Sequence, residues 1–343
     1  MAAGHPAQAD CRRGVRAALE GMPAGSLALA AVSGGGDSLA LAAALAAEAA
    51  AHEVTAGAII VDHGLQPEST DVALLAAQQC ADLGLAPVAV VPVEVVATGE
   101  GLEAAARDAR YAALAETAAA MAEQHPMHLV LLGHTRDDQA EQVLLGLARG
   151  SGARSLAGMP VLTVRDGTPF ARPLLHLSRQ TTHDACAAWG LTPWTDPMNE
   201  DPSFLRVRAR SALADLETDL GPGIVEALTR TADLLRDDAD LLDELATEAT
   251  PVTDADGADD GSGGTSVDVS ALADLPGALR SRVWRRLLLA AGAPAGSLAA
   301  GHVAACDRLV TDWHGQGPLH LPGDLRVTRA HGRVHITSAV RGQ

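Results

Sequence analysis

Four short runs of the chain are apolar nearly throughout: SLALAAV (Ser26 to Val32), VTAGAIIV (Val54 to Val61), PVAVVPV (Pro87 to Val93) and MHLVLLG (Met127 to Gly133). A run that is apolar at almost every position has no wet face, so each reads as a strand buried on both sides. The segments between them are rich in Ala, Leu, Glu and Gln and suit helices. Strand and helix in alternation predict an α/β fold, a parallel sheet with right-handed crossovers and helices on both faces. Ligands of such sheets lie beyond the carboxyl ends of the strands. Aromatic residues make up only 2% of the sequence, so the helices must pack on the sheet through Ala, Leu and Val.

The first run ends in SGGGDS, Ser33 to Ser38, and leads straight into an alanine-rich helical segment. Strand, glycine turn and helix can aim consecutive backbone N–H groups at one point, with the helix N-terminus behind them, and such a nest binds phosphate. Glycine suits the turn because a Cβ would hold the anion off and because some positions require positive φ. Two other glycine motifs do not apply. A Walker loop needs Lys before Ser/Thr, and all 25 Lys and Arg residues of this chain are arginine. A dinucleotide fingerprint needs glycine where Leu39 stands. Glycine content alone is equally compatible with a tight connection that binds nothing.

VDHGL closes the second run with Asp62 and His63. A histidine at a strand end serves as a hydrogen-bonded turn residue or faces a ligand, and its place beside the first strand's carboxyl end favours the second role. GHTRDDQAE follows the fourth run. With a helix starting near Thr135, His134, Asp138 and Glu141 fall about one turn apart on one face, flanked by Asp137. Acids there either complement the helix dipole or attract a metal ion or an ammonium group. EAAARDARYAAL sets Glu103, Arg107 and Arg110 along one helix, as a surface salt bridge or an anion site. In FLRVRARSALADLE, Arg206, Arg208 and Arg210 share a face only if the run is extended; on a helix they project to different sides.

The formal charge of −18 argues against indiscriminate nucleic-acid binding and leaves room for a local arginine stripe. Cys11, Cys80, Cys186 and Cys306 are scattered, with no C-x-x-C pair, so no zinc knuckle, iron–sulfur site or disulfide framework is signalled, and a cytoplasmic protein is expected. Near the N-terminus, Glu20 and Pro23 interrupt what would otherwise resemble a secretory signal, and no run of roughly 18 apolar residues predicts a membrane span. A long acidic helix is expected from Ile224 to Thr247, then a Gly, Asp and Ser-rich linker over about 251–265. A helix through Arg280 to Leu289, another around His302 to Trp313 and a closing hairpin make the tail a small α+β domain. Residues 1–217 are accordingly read as one domain and 218–343 as a second.

Taken together, S-G-G-x-D-S, V-D-H-G-L, E-x-x-A-R-x-x-R-Y, G-H-x-x-D-D-Q-x-E, R-G-S-G, A-G-M, R-P-L-L and W-x-D-P-x-N-x-D resemble the tRNA(Ile)-lysidine synthetases, members of the PP-loop ATP pyrophosphatases. The match spans about Ala30 to Glu217. The resemblance implies a PP-loop nucleotide-binding domain with a smaller C-terminal tRNA-recognition domain. It also implies ATP as substrate, Mg²⁺, free L-lysine and an isoleucine tRNA with a CAU anticodon. ATP would adenylate the C2 oxygen of the wobble cytidine with release of pyrophosphate, and the lysine amine would then attack C2 and expel AMP. Ser33, Gly34, Gly35, Gly36, Asp37, Ser38 and His63 would bind ATP, with Asp37 holding Mg²⁺. Asp137, Asp138 and Glu141 would receive the lysine ammonium, with His134 beside them. Arg107 or Arg110 would steady the activated cytidine or the α-phosphate. Arg206, Arg208 and Arg210 would meet the tRNA. So would Arg280 and Arg282, unless that helix is simply solvated.

Three positions depart from the family pattern: Arg136 adds a cation beside the expected lysine pocket, Gly146 replaces an arginine and Ala214 a proline. A sulfur-inserting tRNA relative would carry paired cysteines that this chain lacks. Two rival readings are a metal-dependent phosphoesterase built on Asp37, Asp62, His63, His134 and Asp138, and a nucleotide-binding module without turnover. The oligomeric state is left open, a homodimer included.

Overall fold

The computed structural model describes residues 4–62, 64, 66, 68–93, 102–251, 254–257 and 263–338. They fall into two compact units, residues up to 150 with 155–233, and 151–154 with 234 onward. In chain order the first holds α1 (Pro6–Leu19), β1 (Leu27–Val32), α2 (Gly36–Ala49), β2 (Thr55–Asp62), α3 (Ser69–Asp82), β3 (Val88–Pro92), α4 (Leu102–Met121), β4 (His128–Leu132) and α5 (Arg136–Ala148). A one-turn α6 (Ala153–Leu156), the hairpin β5 (Leu162–Arg165) and β6 (Thr168–Ala171), α7 (Arg179–Ala188) and α8 (Leu205–Leu220) follow. The boundaries between the units fall just before and within α6, and within α9 (Ile224–Glu248).

The four apolar runs form β1 to β4. Their sheet has the order β3-β2-β1-β4-β6-β5, with every pairing parallel except that of β5 with β6. Chain order reverses between β1 and β4, so the segments leaving these two strands, Ser33 to Ser38 and Gly133 to Thr135, open side by side at the sheet's carboxyl edge. They approach closely: a Cβ on Gly133 would stand 3.1 Å from the Ser38 Cα and 3.2 Å from the Asp37 carbonyl oxygen.

Small side chains allow this packing. Leu39, Ala40, Leu41, Ala42, Ala44 and Leu45 bury nearly the whole of α2 against the sheet and α1. The single carboxylate in that buried surface, Glu48, is 2% exposed and takes Arg12 at 2.6 Å and Arg16 at 2.9 Å from one face of α1. Gly146 lies inside α5, where a Cβ would come within 3.2 Å of Leu156 on α6.

The second unit holds β7 (Asp254–Gly257), β8 (Gly263–Asp268), α10 (Val269–Ala273), α11 (Gly277–Ala290), α12 (Ala300–Thr311), β9 (Leu319–Leu321), β10 (Leu325–Ala330) and β11 (Arg333–Ser338). Its sheet is antiparallel in the order β7-β8-β11-β10-β9. Leu325, Val327, Val334 and Ile336 recur at period two and bury one face beneath Trp284, Leu287 and Leu288 of α11. The stretch expected as a linker contributes β7 and β8, which pair from Asp254 with Ser266 to Gly257 with Gly263. Such a ladder uses main-chain groups, so a composition of Asp, Gly and Ser gives little warning of it. No helix among the described residues is long and apolar enough to cross a membrane.

Candidate active site

The loop after β1 holds the shape expected of an anion cradle. Gly34 has φ +83°, a left-handed conformation that favours glycine, and its carbonyl accepts the Trp194 N–H at 2.9 Å. Gly36 is glycine for a different reason: a Cβ there would meet the His183 ring at 2.8 Å. Ser38 shapes the turn from inside, its hydroxyl accepting from the Ser33 N–H at 3.1 Å and donating to the Gly35 carbonyl at 2.9 Å. Among the described residues, the N–H groups of Gly34, Gly35, Gly36 and Asp37 donate to no protein acceptor. They are the open donors of a loop running into a helix N-terminus, free to receive phosphate oxygens.

Asp37, in the first turn of α2, accepts a short hydrogen bond from the Thr182 hydroxyl on α7. Arg179 Nε stands 3.6 Å from its other oxygen, and His183 Nε2 lies 3.8 Å away. Burial raises the Asp37 carboxyl above its ordinary value and nearby Asp138 adds to this, while Thr182, Arg179 and His183 pull the other way.

Across the crevice, Thr135 caps α5. Asp138, three residues on, accepts from the Thr135 N–H at 2.7 Å and its hydroxyl at 2.9 Å, a capping box that also turns one oxygen to Arg179 Nη2 at 2.8 Å. Burial works against the Asp138 charge, but Arg179 and Thr135 outweigh it and hold the carboxyl below its usual range. Glu141 follows one turn later and is 2% exposed. Its Oε1 takes Arg210 Nε at 2.8 Å and lies 3.6 Å from Arg179 Nη1, whereas its Oε2 is buried with no hydrogen-bond partner. Burial raises this carboxyl, with Asp138 adding to the effect against Arg210 and Arg179. Asp137 faces sideways and accepts the Arg179 backbone N–H at 2.7 Å, anchoring the start of α7. Arg136, which the sequence set beside this pocket, reaches instead to Glu226 on α9 at 2.7 Å.

A cationic wall completes the crevice. Arg107 lies over the Tyr111 ring at 5.7 Å, and the Tyr111 hydroxyl accepts from buried Arg172 at 3.1 Å. Burial pulls Arg110 below its ordinary value, with Arg107 and Arg206 adding to the effect. Among the described residues no carboxylate lies within ion-pair distance of Arg110. Burial, reinforced by Arg110, Arg172 and Arg206 against the pull of Asp138, pushes His134 down to about 3, so its imidazole is neutral at physiological pH. Its Nδ1 is buried without a partner.

The structure thus brings Ser33 to Ser38, Asp138, Glu141 and His134 to one crevice. His63 lies outside the described residues. The three arginines after Phe204 sit on the helix α8, so the extended alternative does not hold and they form no single stripe. Arg210 turns to Glu141, while Arg208 folds back onto the Pro202 and Ser203 carbonyls at 2.7 and 2.8 Å. On α11 the arginines expected at tRNA are committed internally. Arg280 grips Asp307 of α12 at 2.6 and 3.2 Å, and Arg282 takes Asp243 at 2.8 Å. For the phosphoesterase reading, Asp62 is tied to Thr70 and the Gly64 N–H, and among the described residues no group of three or more His, Cys, Asp and Glu side chains is placed to hold a metal ion.

Sequence reasoning allowed a short helix here but missed its place at the site, where Arg179, Thr182 and His183 of α7 all meet Asp37. One signal was available. Ser178 is a clear N-cap, and arginine in the turn it caps opposes the helix dipole, which is tolerable when carboxylates from elsewhere surround it.

An amide cradle at the chain reversal of a parallel sheet, with a carboxylate in the first turn behind it, is the arrangement of a phosphate-binding α/β domain. The PP-loop domain model matches residues 10–217, and a TilS substrate-binding domain model matches residues 268–335. The chain is 52% identical to the tRNA(Ile)-lysidine synthase of Thermobifida fusca over 97% of its own length and 98% of the relative's. It is 50% identical to that of Streptomyces coelicolor over 92% and 86%, and 48% identical to that of Mycobacterium tuberculosis over 87% and 85%. The chain belongs to the tRNA(Ile)-lysidine synthase family. Among solved structures it resembles the U34-tRNA thiolase NcsA of Methanococcus maripaludis, with a TM-score of 0.54 at 20% identity over 67% of this chain and 80% of that one. That likeness concerns the fold. NcsA is described with a [4Fe-4S] cluster, whereas the four cysteines here are free, buried and far apart in sequence.

Proposed function

We propose that this chain joins free L-lysine to C2 of the wobble cytidine of an isoleucine tRNA with a CAU anticodon, consuming ATP and releasing AMP and pyrophosphate in two steps at the crevice between β1 and β4. A cytosine carbonyl is a poor electrophile, and adenylating its oxygen turns that oxygen into a leaving group. The protein's task is therefore to orient reactants and stabilise phosphate charge.

The open amides of Gly34 to Asp37 receive the β- and γ-phosphates. Asp37 fits a Mg²⁺ ligand: it is a single carboxylate beside a phosphate cradle, and Mg²⁺ is commonly held by one or two carboxylates plus phosphate oxygens. The ion would neutralise charge on the departing pyrophosphate. Arg107, Arg110 and Arg206 offer positive charge to the α-phosphate and the activated base, and Arg110, half-buried with no carboxylate among the described residues within ion-pair distance, suits an anion. His134, held neutral, hydrogen-bonds to the substrate rather than acting as an imidazolium acid.

The observation that carries the lysine pocket is the Oε2 of Glu141, an unpartnered carboxylate oxygen with its residue 2% exposed. A buried acceptor left empty costs about 1–3 kcal/mol, more when charged, and an ammonium group removes that cost. With its carboxyl raised by burial, Glu141 is also suited to take the proton that the amine must lose before attacking C2. Buried, reduced thiols suit the cytoplasm in which tRNA is modified. For phosphate contact on α11, exposed Arg286 is the arginine without an internal partner among the described residues.

Mass analysis of an isoleucine tRNA transcript with a CAU anticodon, incubated with the enzyme, ATP and lysine, tests the proposal. The expected product carries one lysine condensed onto the wobble cytidine, with AMP formed in equal amount. AMP formation indifferent to lysine and tRNA would overturn it.

A further inference from the structure

Arg179 is a cation already standing in the pocket meant for one. Its guanidinium spans the two halves of the site: Nη2 lies 2.8 Å from Asp138, Nη1 3.6 Å from Glu141 and Nε 3.6 Å from Asp37. Those carboxylates belong to the proposed lysine pocket and to the loop proposed to take phosphate. The side chain is 21% exposed, so water reaches it and it has a way out. Its backbone is fixed independently, by Asp137 on its N–H and by the Ser178 cap of α7, so the guanidinium can move without the helix moving.

We propose that Arg179 is a surrogate for the substrate ammonium that yields its place when ATP binds, so that the enzyme takes lysine in an order set by the nucleotide. The inference rests on the function proposed above. A polyphosphate arriving at Gly34 to Asp37 brings several negative charges beside Arg179, and a cation bound at Asp37 competes for one of its three carboxylates. Both draw the guanidinium from α5 toward the phosphates and uncover Asp138 and Glu141. Before ATP binds, lysine must displace the Arg179 ion pair with Asp138; afterwards it meets Asp138 without that cation and Glu141 held through Oε1 by Arg210 alone. Lysine is thereby kept from the crevice until the nucleotide that activates the cytidine is seated. Arg179 acts here as a positioning residue, and because coupling of two ligands is reciprocal, lysine also tightens the nucleotide.

Equilibrium dialysis of labelled L-lysine against the full chain, with and without the non-cleavable analogue α,β-methylene-ATP in the presence of MgCl₂, tests this. For the unaltered protein the analogue should tighten lysine binding at least about fivefold, the lower end of ordinary coupling. Arg179→Gln should bind lysine without the analogue as tightly as the unaltered protein does with it, and should show almost no further gain. Arg179→Lys, which keeps a cation but cannot span three carboxylates, should show reduced coupling, and it serves if the glutamine variant does not fold. Lysine binding that ignores the analogue in the unaltered protein, or coupling of undiminished size in these variants, overturns the proposal. Failure of lysine to bind under any condition is a different outcome, because it removes the lysine pocket itself and this inference with it.

Discussion

At the scale of single residues, the two carboxylates proposed to serve the two steps should be separable. Asp37→Ala should abolish pyrophosphate release, because the group proposed to direct the cation at the cradle is gone. Glu141→Gln keeps shape and removes charge. It should leave pyrophosphate release within about tenfold while lowering lysidine formation by about 10²-fold, the usual range for a lost acid–base group. Equal loss of both steps on measuring each product would refute the division of labour. Burial holds the Glu141 carboxyl above its ordinary 4.5, so the group is charged only above that raised value. Lysine binding should therefore weaken as pH falls, beginning at a higher pH than an exposed glutamate would give. A KM for lysine measured against pH should show this bend, and Glu141→Gln should flatten it.

At the scale of elements, the pairing of α1 with α2 depends on Glu48. Burial alone would raise its carboxyl, but hydrogen bonds from Arg16 and Arg12 prevail and hold it below the ordinary 4.5. A depressed carboxyl stabilises the fold fully above 4.5 and loses that contribution as pH falls through the lower folded value. Glu48→Gln should cost about 1–2 kcal/mol at neutral pH, discounted because both arginines are about half exposed. The gap between the two melting temperatures should close in acid. The strands β1 to β4 were legible because a doubly covered strand must be apolar along its length, and that is a local pattern. The cradle and the acids of α5 were legible for the same reason, as compact strings with one chemical purpose. Arg179 was not, since its partners lie 41 residues away at Asp138 and 142 away at Asp37, and no periodicity encodes a pairing over that distance. The linker misled in the opposite sense, because the ladder of β7 and β8 is written in main-chain atoms.

At the scale of the molecule, a chain of charge −18 must bind an anionic polymer through local patches. In the second unit the arginines of α11 divide by partner. Arg280, 13% exposed and paired with Asp307, ties α11 to α12, so Arg280→Met should lower the unfolding temperature of that unit, by about 2–4 kcal/mol in stability. Arg286→Glu should leave melting unchanged and weaken tRNA binding, with the salt slope of the binding constant reduced by about one unit. A melting loss in Arg286→Glu with an unchanged slope would reverse the assignment. In the first unit the bond from the Trp194 backbone N–H to the Gly34 carbonyl sets a tryptophan beside the loop proposed to hold the phosphates. Only four tryptophans exist in the chain, and Trp284 is sealed in the other unit's core. With Trp189 and Trp313 changed to phenylalanine, the emission of half-buried Trp194 should become a built-in optical gauge of nucleotide arrival, readable on a stopped-flow timescale without any dye.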